Sequence, residues 1–323
     1  MRSFPVTTKE FAELVFTQYE GNPIVKHTPF STVIADPSIL TPAETHDGKW
    51  YMFCHTLYNV VKTVSEDGVN CSRPEKVLPR GMRPNINRIG RKYYLYYERT
   101  QPLLPKAISM VGGKWYSEIY LTTSDDLVSW SKPIPIITKE KPYHTYEKGT
   151  SISNPFLTEI GEKYRLYYSA GLTYLEDCRF CEPTCISYAE SDIPDGNFIS
   201  QEKPVITPDV NDPGMNRCAG CIKIYRVKDG YIGLQNGIYR TEKGDSMSAI
   251  RLLASEDGKK FKFVKNLVEP GIFYEKTWMA QYVYACDLVY FDGKFRIYFN
   301  ARDKANPLSG RENIGFTEAV LSK

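Results

Sequence analysis

Helical periodicity is nearly missing from this sequence. Outside residues 7–16 the apolar residues hold only weakly to helical spacing, which excludes a helix bundle as the main architecture. No run of about 18 apolar residues occurs, so no membrane-spanning helix is expected. The opening stretch MRSFPVTTKEFAELVF has neither an apolar core nor a small-residue cleavage site. It does not read as a secretory signal, and the expected location is the cytoplasm, with reduced cysteines. Basic runs are absent too. With 41 Lys and Arg against 38 Asp and Glu, the formal net charge is +3, and nothing suggests a nucleic-acid partner. Histidine is scarce, with four residues in the chain. His27 and His46 fit solvated loops, whereas His55 and His144 are placed where they could meet a ligand.

Tyrosine, by contrast, is abundant, with 24 residues, and favours strands and ligand-facing surfaces. Five segments share one grammar: an apolar strand, a tight turn and a second, Tyr-rich strand. They are IADPSILTPAETHDGKWYMFCHT, MRPNINRIGRKYYLYYERT, ISNPFLTEIGEKYRLYYSAG, CAGCIKIYRVKDGYIGLQNG and ACDLVYFDGKFRIYFNAR. Each turn carries a glycine of the hairpin kind. Further strands and turns follow in TTSDDLVSW and ASEDGKKF, where Ser, Asp and Gly close the loop by side-chain bonds. The repeats start near residues 34, 82, 152, 218 and 285. That spacing holds about four strands per repeat, so radial repetition predicts an all-β fold, a single five-bladed β-propeller spanning residues 1–323, with residues 1–20 as an N-terminal extension.

The stretch STVIADPSIL sets an acid, Asp36, and a proline, Pro37, inside an apolar strand. Burying a carboxylate is costly unless something pairs with it or uses it. At the start of an innermost propeller strand it would line a pocket at the axis. Here the segments ADPSIL…DGKWYMF, YYLYYERT…TTSDDLVSW and NPFL…GEKYRLYYSAG resemble the five-bladed glycoside hydrolases of families 43 and 32, and the related family 130. The resemblance runs in order from about residue 20 to residue 320. In family 43 it implies three acids: a general base on the first blade, a pKa-tuning Asp on the third and a general acid Glu on the fourth.

Asp36 matches the first position. Aligning SNPFL with ADPSI puts the second on Asn154, an amide able to position a sugar. The third falls in NRCAGCIKI, at Cys218–Cys221, where no Glu stands. The missing carboxylate is therefore expected at Glu98, then Glu147, then Asp287. Arg83 begins the second repeat where Asp36 begins the first. Asn154, Arg83, His55, Arg99, Asn236 and Arg302 are the expected substrate contacts, with Trp278, Tyr143, Tyr146 and Tyr174 in loops that could stack on a sugar. Because family 130 enzymes are often phosphorylases, Arg83, Arg99, Arg217 and Arg302 also form a candidate phosphate clamp.

Five of the eight cysteines fall in CRFCEPTC (Cys178, Cys181, Cys185) and NRCAGC (Cys218, Cys221). Two Cys-x2-Cys pairs are zinc spacing, and adjacent blades could bring four of these thiolates together. The other reading is buried thiols packed as small hydrophobes, as is expected for Cys54, Cys71 and Cys286. The expected function is an enzyme cleaving a glycosidic bond in an oligosaccharide or glycoside, with Asp36 as general base. Two alternatives remain open: a glycoside phosphorylase with an Arg-lined phosphate site, and a non-catalytic propeller binding a glycan or metal. The expected partner is a small carbohydrate, with neither nucleic acid nor membrane involved.

Overall fold

The computed structural model describes residues 2–103, 114–137, 141–146, 149–271, 277–306 and 309–321. Strand accounts for 54% and helix for 4%, which makes the chain all-β. Five antiparallel units follow one another. Unit one is Ala35–Leu40, Trp50–His55, Asn59–Ser65 and Glu75–Pro79. Unit two is Gly81–Ile89, Lys92–Thr100, Trp115–Ser124 and Ile134–Ile137. Unit three is Ile152–Ile160, Lys163–Ala170, Cys185–Ser191 and Ile199–Ser200. Unit four is Ile222–Val227, Gly230–Arg240, Ser246–Ser255 and Lys262–Val268. Unit five is Tyr282–Phe291, Lys294–Arg302 and Glu312–Val320.

The hairpins form where the turn chemistry allows. Phe291 pairs with Lys294 across Asp292-Gly293, whose φ angles are 48° and 75°. Two consecutive positive φ values match the right-handed twist of the flanking strands, a conformation that Asp-Gly tolerates best. The first strands of successive units touch in cyclic order: one with two, two with three, three with four, four with five, and five with one.

Residues 17–18 are not a free tail. Thr17 and Gln18 pair antiparallel with Glu318 and Thr317 and give unit five its fourth strand. Ahead of them a short helix, Thr8–Glu13, is fixed by a capping box in which Thr7 Oγ1 accepts from Glu10 N and Glu10 Oε2 accepts from Thr7 N. It buries Phe11 edge-on against Phe295 at 5.3 Å. Arg2 reaches deeper, donating to Asp287 Oδ1 at 3.0 Å and to Glu44 Oε1 at 3.2 Å.

Neighbouring units are tied by the Ser-x-Asp turns expected to be structural. In unit one, Ser65 Oγ donates to Asp67 and accepts from Gly68 N, and Gly68 O accepts from Tyr298 of unit five at 2.9 Å. In unit two, Leu127 N donates to Ser124 Oγ, and Leu127 O accepts from Lys62 of unit one at 2.8 Å. In unit four the turn carbonyl of Gly258 accepts from Tyr167 of unit three. Each of these turns thus presents a carbonyl to the unit before it, and two of them satisfy the hydroxyl of a tyrosine buried between units.

Candidate active site

The first strands of units one, two and three begin in the same unusual way. Asp36, Arg83 and Asn154 have φ of 54°, 50° and 49°, and each precedes a proline, Pro37, Pro84 and Pro155. Each lies in a bulge, where register shifts between Ala35 and Ser38, Met82 and Asn85, and Ser153 and Phe156. A left-handed residue other than glycine costs about 1–3 kcal/mol and persists only where the surroundings impose it. Bulges re-aim side chains, and here all three point into one cavity of about 370 Å³. In unit four the equivalent residue is Gly220, with φ of 59°. A Cβ there would lie 2.2 Å from Asn236 O, so unit four cannot present a side chain at this position.

Asp36 is 9% exposed. Its Oδ2 lies 2.8 Å from His55 Nε2, and its backbone N–H donates to Asn300 Oδ1 at 3.1 Å. His55 Nδ1 faces Thr56 O at 2.7 Å. A carbonyl only accepts, so Nδ1 carries a hydrogen and the Nε2–Asp36 contact needs a further proton from one of its members. Burial alone would raise Asp36. The hydrogen bond and charge of His55, then the charges of Arg83 and Lys223, outweigh it and hold the carboxyl below the usual carboxylate range. Asp36 is therefore held as a carboxylate.

Glu182 behaves oppositely. It also lines the cavity and is 8% exposed. Burial pushes it up to about 7; Arg83 and the Tyr284 hydroxyl oppose the rise, while Glu312 and Asp36 add to it. It belongs to none of the five units. A separate two-stranded hairpin, Thr173–Leu175 with Phe180–Glu182, leaves unit three between its second and third strands and carries Glu182 to the cavity. Glu312 faces the same space from unit five and is held by Arg302 Nη1 at 2.8 Å and Asn300 Nδ2 at 3.2 Å. One cavity thus holds a carboxylate kept charged and a carboxyl that keeps its proton up to about 7, the division of labour that acid–base chemistry needs.

Of the residues expected from sequence, Asp36, His55, Arg83, Asn154, Asn236 and Arg302 all line this cavity. Cys181 and Cys221 line it as well. Several expected residues do not. Glu98 is fully buried behind Arg83, which donates to its Oε2 while Trp115 Nε1 donates to Oε1 at 3.2 Å. Asp287 lies deeper along the strands, accepting from Arg2, from Tyr225 Oη at 2.7 Å and from Ile39 N at 2.7 Å. Neither carboxylate borders the cavity, because each is consumed by its own donors. Arg99 stacks over Tyr120 at 4.8 Å, and Trp278 stacks on Phe299 at 5.5 Å inside the core. Glu147 lies outside the described residues.

The cysteines do not make the expected metal site. Among the described residues no group of three or more His, Cys, Asp or Glu is placed to hold a metal ion. Cys178 and Cys218 pack with Leu175, Ile238 and Tyr282 in one small apolar cluster, and Cys185 Sγ points to Ala170 O at 3.5 Å. Burial pushes the Cys178, Cys185, Cys218 and Cys221 thiols up to about 12, so they pack as neutral small hydrophobes. Glu182 and Glu312 are the acids that the sequence reading missed.

Several solved structures share this fold. A glycoside hydrolase candidate from Parabacteroides distasonis superposes with a TM-score of 0.66 at 16% identity, covering 97% of this chain and 98% of that one. The α-L-arabinofuranosidase of Podospora anserina, solved with cellotriose, gives 0.65 at 13%, covering 96% and 99%. The β-1,2-mannobiose phosphorylase of Listeria innocua, solved with β-1,2-mannobiose, gives 0.63 at 12%, covering 95% and 97%. At these identities the likeness is one of fold: this chain folds as the propeller glycoside hydrolases and phosphorylases do. No protein-family model matches the chain, and no curated protein sequence does.

Proposed function

We propose that this chain is a five-bladed propeller glycosidase, with Glu182 as general acid and Asp36 as the carboxylate that activates water. The five antiparallel units, their cyclic contacts and the N-terminal strand on unit five support the blade count. One observation carries the chemistry: two carboxyl groups in one cavity are pushed in opposite directions by their surroundings. Glycoside hydrolysis needs a protonated acid at the leaving oxygen and a charged carboxylate on the other side of the sugar. Asn154 supplies an amide for sugar hydroxyls, whereas the Asn236 side chain donates to Val283 O at 2.8 Å and has only its oxygen to offer. At about 370 Å³ the cavity is near the small end of ligand sites, which suits a short glycoside entering by one end.

Water is favoured over phosphate as nucleophile because both cavity arginines are already paired, Arg83 with Glu98 and Arg302 with Glu312. The test is a screen of aryl glycosides and short oligosaccharides, with and without phosphate, on wild type, Glu182→Gln and Asp36→Asn. Loss of the acid should lower kcat/KM by about 10²–10⁴-fold on substrates with poor leaving groups. Activated aryl substrates, which leave without protonation, should lose much less. A Glu182→Gln enzyme with undiminished turnover of natural-type linkages would overturn the assignment.

A further inference from the structure

Asp36, Arg83 and Asn154 are aimed by bulges in their own strands, but Glu182 has no such support. Its hairpin is a two-stranded sheet outside the five units, so its place must be set by whatever the hairpin docks on. The two faces of the hairpin are distinguishable, because residues two apart in a strand share a side. Phe180 and Glu182 share one. Phe180 packs edge-on against Tyr282 of unit five at 5.9 Å, and Tyr282 stacks on Tyr284 at 5.3 Å, the tyrosine whose hydroxyl meets Glu182. The acid therefore lies alongside unit five, although the chain bearing it belongs to unit three.

What holds the hairpin across this gap is at its tip. Thr173 pairs with Glu182 and Leu175 with Phe180, leaving 176–179 as the turn, closed by Arg179 N donating to Leu175 O at 2.8 Å. From that turn Asp177 grips unit four with both oxygens. Ser246 N donates to Oδ2 at 2.7 Å, and Ser246 Oγ donates to Oδ1 at 2.8 Å. Ser246 opens the third strand of unit four, which bridges to unit five where Ser248 meets Tyr282. Asp177 thus joins the hairpin tip to the strand that registers units four and five, beside Leu175 and Cys178, which pack on Ile238 and Tyr282, and the contact of Cys178 Sγ with Tyr282 Oη. At the hairpin base Thr173 Oγ1 meets Thr184 Oγ1 at 2.9 Å, and Thr184 O accepts from Ala219 N at the entry to unit four at 3.1 Å.

We propose that Asp177 is a positioning residue for Glu182: by pinning the hairpin tip to unit four, it fixes the acid's carboxyl against Tyr284 in the cavity. Asp177 does not border the cavity, so it acts only through the hairpin. Without the two hydrogen bonds of Asp177 the tip is held by the packing of Leu175 and Cys178 alone, and the hairpin shifts enough to move Glu182 away from Tyr284 and toward water. The proposal rests on the reading of Glu182 as general acid for its catalytic consequence, but not for its structural one.

The experiment uses the full chain with Asp177→Asn, Asp177→Ala and, from the other side of the contact, Ser246→Ala. Two readouts are taken. The first is the Glu182 titration, followed by carbon NMR of glutamate-labelled protein and assigned by the signal missing in Glu182→Gln. The expected result in Asp177→Ala is a fall from near 7 toward the ordinary glutamate range, with the melting transition still cooperative. The second is steady-state kinetics: kcat should drop about 10- to 100-fold on poor leaving groups with KM nearly unchanged, as expected for a displaced reacting group, and the alkaline limb should move to lower pH. Ser246→Ala, which keeps the backbone donor, should show the same changes at smaller size. An unmoved Glu182 titration in all three variants overturns the positioning role. If the titration moves but no glycoside is turned over by wild type, the glycosidase reading fails and the role of Asp177 stands.

Discussion

Replacing Glu182 by glutamine should stabilise the protein at alkaline pH, whatever its substrate. In the unfolded chain this carboxyl loses its proton near 4.5, whereas in the fold it keeps the proton to about 7. Between those values unfolding releases a proton, so stability is greatest below pH 4.5 and falls as pH rises through 7. A difference of roughly 2.5 units corresponds to about 3 kcal/mol lost between pH 4 and pH 8. Glutamine keeps the side chain's length and its ability to accept from Tyr284, and carries no charge to bury. Denaturant midpoints should be measured at pH 4 and pH 8 for wild type and Glu182→Gln, with unchanged m-values confirming a common unfolded state. The variant's stability relative to wild type should rise by about 3 kcal/mol between pH 4 and pH 8. Other groups titrate in both proteins and cancel in the comparison. Equal pH 4-to-8 changes in the two proteins would refute the claim that burial keeps Glu182 neutral, and the acid assignment would fall with it.

Other perturbations have signs set by the same geometry. Glu312→Gln removes a charge that raises Glu182 and frees Arg302, which it now neutralises. Both changes favour ionised Glu182, so the alkaline limb of kcat/KM should shift to lower pH; an upward shift would contradict the electrostatics. His55→Gln takes away the hydrogen bond and charge that hold Asp36 low, and the acidic limb should move up. Arg2→Ala strips the cation from Asp287, which is 2% exposed; because Tyr225 and Ile39 still donate to it, a loss of about 3 kcal/mol in urea unfolding is expected, toward the low end for a broken buried pair. Gly220→Ala should destabilise strongly or prevent folding, since its Cβ would lie 2.2 Å from Asn236 O at a φ of 59°; a melting temperature equal to wild type would show that the strand start is looser than described.

The repeated part of this molecule was legible because its grammar is local. A strand, an Asp-Gly or Gly turn and a Tyr-rich partner can be read within about 20 residues, and the first strands begin at 35, 81, 152, 222 and 282, close to the expected starts. The same locality exposed Asp36. The dipeptides Asp36-Pro37, Arg83-Pro84 and Asn154-Pro155 sit at one point of three repeats, and the backbone there turns left-handed in all three. Reading the fourth repeat at the same point gives Gly220, which says that no acid could be supplied from that position. That signal was present in CAGC, but its cysteines drew the reading toward metal.

Glu182 was hidden for a different reason. Its strand, Phe180–Glu182, lies outside the repeat, so no register against the other units assigns it a place. Its approach to Asp36 depends on contacts at long sequence separation: Asp177 with Ser246, 69 residues on, and Phe180 with Tyr282. The faint local trace was the alternation of Phe180 and Glu182 before Pro183, a strand with one acid on its apolar side, the same oddity that marked Asp36. In a fold built of repeats, the repeating positions can supply only what their shared backbone permits, and here one of them is closed by Gly220. A second catalytic carboxyl then has to come from an insertion. Its chemistry is tuned by burial against a neighbouring unit rather than by its own strand, and that tuning is the property that the pH-dependent stability of Glu182→Gln measures directly.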